Sequence, residues 1–152
     1  MTAPLLVFAW GNASRGDDAL GPLFVQELRA TLGGRADVEC LDDYQLQVEH
    51  ALDLVGRERV LFVDASLNCA APFEATALQA RADASVSSHA LSPQALLHVY
   101  AQLNAGPAPG CTLLAIRGQQ FGLGQVPGAL ALRHLQAALA WAQVWLGPPA
   151  SR

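Results

Sequence analysis

Apolar positions along the chain fall into two recurring patterns. Leu5–Trp10 is an unbroken apolar run that stops at Gly11, and Val60–Val63 is a second that stops at Asp64. Short runs of this kind read as strands buried on both faces. Between them Leu20, Leu23, Phe24, Leu28 and Leu32 recur at helical spacing, and Gly33-Gly34 closes the segment. Val38–Leu41 reads as a short strand. Val48, Ala51, Leu52 and Val55 predict a second helix, closed by Gly56. Phe73–Gln79 alternates apolar and polar residues, the mark of a half-exposed strand at a sheet edge. Ser92-Pro93 offers an N-cap and a first-turn proline for a helix reaching Leu103. Cys111–Ile116 is a further strand, and Pro127–Leu146 the last helix, stopped by Gly147-Pro148-Pro149.

Strands alternating with helices predict an α/β fold, a three-layer α/β/α sandwich around a mostly parallel or mixed sheet of about five strands. One domain is expected over residues 1–146, followed by a short disordered tail at 147–152. In such sheets ligands bind beyond the carboxyl ends of the strands. Two loops are thereby singled out, those that follow Trp10 and Val63.

Composition narrows the class. The chain has 152 residues, of which 52% are hydrophobic and only 14% charged; a disordered chain would show the opposite balance. Its basic residues are nine arginines with no lysine, against 13 acids, so the net charge is −4. The arginines are scattered, which argues against nucleic acid as a partner. Cys40, Cys69 and Cys111 form no CxxC or Cys/His cluster, so buried thiols in a reducing cytoplasm are expected. The opening MTAPLLVFAW lacks the basic region of a signal peptide. Ala129–Leu146 carries Arg133, His134, Gln136 and Gln143, too polar for a membrane span.

Candidate chemistry concentrates in few places. The first loop reads Gly11-Asn12-Ala13-Ser14-Arg15-Gly16-Asp17-Asp18-Ala19-Leu20-Gly21. It has neither the glycine spacing of a dinucleotide loop nor the lysine of a Walker A loop, and two carboxylates would repel a phosphate. Asp17 is open to two readings, an N-cap or part of a site; Asp18 is a first-turn acid or a functional carboxylate. Asp64 ends a buried strand and is equally a turn acid or a site residue. His89 lies in the polar loop Ser87-Ser88-His89, where solvation is the ordinary role. Asp18, Asp64 and His89 together would make a donor set for a divalent metal or an acid/base group. His50, His98 and His134 sit within predicted helices, and no nucleophile elbow or H-E-x-x-H motif is present.

With these residues in view, the chain resembles the hydrogenase maturation endopeptidases. That family opens with a strand and then roughly G-x-G-N-x-L-x-x-D-[DE]-G-x-G, matched here at Gly11, Asn12, Asp17, Asp18 and Gly21. An apolar strand ending in Asp64-Ala65, His89 before a Leu96-Leu97 helix, and a late strand before Phe121-Gly122 and a long helix follow in the family's order. The chain departs from the pattern at Ala9, Ser14 and Ala19. The segment Asp43–Glu49 looks like that of members serving soluble bidirectional hydrogenases.

The resemblance implies an endopeptidase that removes the C-terminal extension of a nickel–iron hydrogenase large-subunit precursor after nickel insertion. It implies metal contacts at Asp18, Asp64 and His89 and catalytic roles for Asp18 and Asp64, Asp18 being the stronger candidate base. The nickel arrives with the substrate, and no tightly bound cofactor is expected. The expected protein is cytoplasmic, a monomer or weak homo-oligomer, with the precursor as partner and no membrane or nucleic acid. A non-catalytic precursor-binding relative and an unrelated α/β hydrolase or nucleotide-binding domain are the competing readings.

Overall fold

The structure is a computed structural model that describes residues 2–81, 91–103 and 108–149. Among the described residues five strands form one sheet: β1 (Leu5–Trp10), β2 (Val38–Asp43), β3 (Arg59–Ser66), β4 (Phe73–Ala77) and β5 (Gly110–Arg117). Their spatial order is β2-β1-β3-β5-β4. All neighbours are parallel except β4 and β5. The fold is therefore α/β with a mixed sheet, and β4 is its antiparallel edge, as its alternating sequence predicts.

The α-helices of the described residues pack on the sheet: α1 (Leu20–Thr31), α2 (Pro93–Leu103) and α3 (Ala129–Leu146). Two clusters of buried side chains divide the faces. Leu5, Val7 and Ala9 of β1 and Leu61 and Val63 of β3 meet Phe24 and Leu28 of α1 and Leu135, Ala138 and Ala142 of α3. Leu6, Phe8 and Trp10, with Val60 and Phe62, meet Leu96, Leu97 and Tyr100 of α2 on the other face. Residues alternate between the two faces along each strand, so β1 and β3 need apolar residues at nearly every position. That requirement produces the unbroken runs.

Several elements differ from their expected form or bounds; β2 runs on to Asp43, β4 ends at Ala77 and α3 begins at Ala129. β3 is longer than Val60–Val63 and continues past Asp64 to Ser66, because β5 pairs with it as far as Ser66↔Arg117. The expected helix around Val48–Val55 is a 3-10 helix, Val48–Leu54. Its buried residues, Ala51 and Leu54, are three apart, which matches three residues per turn. Gln47 and His50 close a reciprocal cap at its start. A 3-10 turn, Gly16–Ala19, also precedes α1.

The helix ends follow local chemistry. Ser92 Oγ accepts from the Ala95 N–H at 3.1 Å, the N-cap bond its sequence predicts. Gly147, with φ +68°, turns the chain at the end of α3, and Arg35 donates to the carbonyls of Gly147 and Pro148. Cys40, Cys69 and Cys111 are free and buried. Among the described residues no helix is long and apolar enough to cross a membrane.

Candidate active site

The chain leaves β1 for β2 on one side, and leaves β3 for β5 and β4 on the other. Neighbouring strands whose connections run in opposite directions leave a crevice beyond their carboxyl ends. Here that crevice lies between β1 and β3. A cleft of about 250 Å³ occupies it. Asp18 and Asp64 both line it, together with Trp10, Gly11, Asn12, Arg15, Tyr44 and Gln45.

The first loop is built around backbone contacts that only glycine allows. At Gly11, φ is +153°, and an added Cβ would lie 2.1 Å from the Asp18 carbonyl oxygen. At Gly16, φ is +54°, and a Cβ would meet the Gln120 carbonyl at 2.3 Å. The loop therefore folds back on itself, and the Asn12 N–H donates to Asp18 Oδ2 at 2.7 Å. Asn12 Oδ1 accepts from the Ser14 N–H at 2.8 Å, while its Nδ2 donates to the Tyr44 hydroxyl at 3.1 Å. Asn12 thus orients Asp18 and ties the loop after β1 to the loop after β2.

Asp17 belongs to a different structure. It is completely buried. Its Oδ2 accepts from the N–H groups of Gln119 and Gln120 at 2.7 and 3.0 Å, and its Oδ1 from Gly128 at 2.8 Å. Main-chain bonds run alongside, from Asp17 N to Gln120 O at 2.7 Å and from Gly16 N to Gln125 O at 3.0 Å. The N-cap reading of Asp17 is thereby corrected: the N-cap of α1 is Ala19, with no side-chain cap. Asp17 instead clamps the 118–128 loop against the loop that carries Asp18.

Asp64 lies one residue past the last β1–β3 pair, Ala9↔Val63, and is paired on its other side with Ala115. By alternation it points to the same face as Phe62. Burial pushes its carboxyl up to about 7, and the neighbouring Asp18 charge pushes the same way. Hydrogen bonds from the Ala65 backbone and the Trp10 side chain oppose this only in part. Burial and the Asp18 charge thus favour a proton on Asp64, an arrangement suited to proton transfer.

Of the three residues marked in the sequence, Asp18 and Asp64 meet in one cleft, and His89 lies outside the described residues. Among the described residues no three His, Cys, Asp or Glu side chains converge. Trp10, Arg15 and Tyr44 were missed as cleft residues. Tyr44 directly follows β2, so the strand-end rule applied to a third strand would have found it. A larger groove, about 490 Å³, runs between α1 and α3, but Glu27 is its one ionisable lining residue. His50 serves the cleft wall indirectly. Its Nδ1 accepts from the Gln47 N–H at 2.8 Å, so its Nε2–H donates to Asp43 at 2.9 Å. His134 is buried and binds the Arg117 carbonyl at 2.8 Å.

Solved structures share this architecture. A [NiFe] hydrogenase maturation protease HycI from Thermococcus kodakarensis superposes with a TM-score of 0.71 at 22% identity, over 95% of this chain and 94% of that one. The hydrogenase maturating endopeptidase HybD from E. coli gives 0.72 at 20%, over 93% and 91%. The chain has the fold of the hydrogenase maturation proteases. A hydrogenase 2 maturation peptidase from a Thaumarchaeota archaeon gives 0.68 at 22%, over 94% and 97%. No family model and no curated protein matches the chain. Identities this low establish shared architecture, and the likeness runs end to end on both sides.

Proposed function

We propose that this protein is a processing endopeptidase that removes the C-terminal extension of a nickel–iron hydrogenase large-subunit precursor and recognises nickel already bound in that precursor. The observation that carries the reading is the pairing of Asp18 with Asp64 at the crevice between β1 and β3, in a fold shared with maturation proteases.

Asp18 is held by the Asn12 N–H and keeps a second oxygen for the cleft. Two carboxylates suit a borderline divalent ion, and an imidazole would complete the set, the part that the family resemblance gives to His89. The nickel, as part of the substrate, would draw electron density from the scissile carbonyl or from a water. In this scheme Asp18 takes the proton of the attacking water and returns it to the leaving amine, while Asp64 holds the substrate's nickel as a carboxylate.

The test is incubation of the protein with nickel-loaded precursor, read by the mass lost from the precursor's C-terminus. Asp18→Asn should abolish cleavage, by at least about a hundredfold for loss of a general base. Cleavage by that variant at the wild-type rate would reject the assignment. Stable binding of precursor with no mass loss by the wild type would instead identify a precursor-binding relative that does not cut.

A further inference from the structure

We propose that the lip of this cleft, formed by the Arg15 guanidinium and the Tyr44 hydroxyl, binds a carboxylate of the substrate polypeptide and so sets its direction across the Asp18–Asp64 floor. The inference rests on the protease reading above. The carboxylate could come from an acidic side chain or from the chain's own C-terminus.

Arg15 is exposed at the tip of the first loop and lines the cleft. Its main chain is pinned on both sides: its N–H donates to Asn12 O at 3.1 Å, and its carbonyl accepts from Asp18 N at 3.0 Å. The guanidinium therefore grows from a fixed point three residues from Asp18. Among the described residues it has no hydrogen-bond or ion-pair partner, although two carboxylates line the same cleft.

Tyr44 supplies the second donor. It is 62% exposed. Because Asn12 Oδ1 is engaged by the Ser14 N–H, Asn12 must donate through Nδ2, and the Tyr44 oxygen must accept. That leaves the phenolic proton free to point outward. A lip that offers N–H and O–H donors thus borders an acceptor-rich floor. A segment that lays an acid on the lip and a cation or electrophile on the floor fits in one direction. Reversed, it meets repulsion at the floor and loses its contact at the lip.

The experiment measures cleavage of nickel-loaded precursor by wild type, Arg15→Gln, Arg15→Glu, Tyr44→Phe and the exposed control Arg133→Glu. Arg15→Glu should raise KM by about tenfold or more, Tyr44→Phe by about threefold, with kcat falling far less; Arg133→Glu should leave KM unchanged. Precursors with each acid of the extension changed singly to Lys, and one whose C-terminus is lengthened by a neutral tail, identify the source. A single acid-to-Lys change should restore Arg15→Glu towards wild type if a side chain is bound. The lengthened precursor should lose the difference between wild type and Arg15→Gln if the terminus is bound. An unchanged KM in Arg15→Glu overturns the proposal, as does an increase matched by Arg133→Glu. A wild type that never cleaves rejects the protease reading instead and is recognised before any variant is compared.

Discussion

Asp17 and Asp18 are adjacent, yet one is sealed in a ring of main-chain N–H groups and the other faces the cleft. In Asp17→Asn, one acceptor oxygen becomes a donor that meets a backbone N–H with no water to relieve the clash. Loss of this buried acceptor should cost about 3 kcal/mol or more in urea unfolding. A wild-type midpoint for that variant would show that the clamp contributes nothing. Asp64 carries the opposite sign. Its folded-state value, about 7, lies above the ordinary 3.8. Between those values the folded protein keeps a proton that the unfolded chain has released, so Asp64 lowers stability increasingly as pH rises to 7 and by a constant amount above it. Asp64→Asn removes that loss. Without metal, it should stabilise the protein by about 2 kcal/mol at pH 8, with the gain fading towards pH 4. A variant less stable than wild type at pH 8 would contradict this.

At the scale of elements, legibility followed burial. β1 was readable end to end because both of its faces are buried. β3 was half readable: its last residues are held by main-chain pairing to β5, which needs no apolar side chain and leaves no hydrophobic signal. The 3-10 helix was misread because Val48, Leu52 and Val55 are exposed, and a periodicity count cannot tell an exposed apolar residue from a buried one. Gly21 shows a close approach that the sequence records only as a glycine in a helix. A Cβ there would lie 2.4 Å from the Trp10 carbonyl oxygen and 3.2 Å from its carbon. Glycine to alanine inside a helix ordinarily gains up to about 1 kcal/mol. Here backbone blocks it, so Gly21→Ala should lose about 2 kcal/mol or more as α1 lifts from β1. It should also lower cleavage, since α1 carries the turn that holds Asp18. A stabilised variant with full activity would mean that α1 has room to move.

Across the whole molecule, the alternation of strands and helices marked the sheet edge where a site belongs, and it put Asp18 and Asp64 there. It could not show that Arg15 and Tyr44 join them, because that depends on Asn12 bridging two loops 32 positions apart in the chain. The same edge is held by the Asp17 clamp and by Gly124 N donating to Ser14 O at 2.7 Å, so it should open as loops while the sheet stays closed. The three thiols can distinguish these motions. Cys40 lies within β2 and Cys111 within β5, and burial pushes them up to about 11 and about 12. Cys69 lies between β3 and β4, at the carboxyl edge, and burial raises it as well. A buried, protonated thiol reacts only when its surroundings open. In native buffer, iodoacetamide followed by mass spectrometry should therefore modify Cys69 first, with Cys40 and Cys111 following at the rate of sheet opening. Asp17→Asn should speed all three, since weakening the clamp lowers the stability of the whole domain. Cys111 reacting first in the wild type would mean that the β3–β5 pairing opens before the loops.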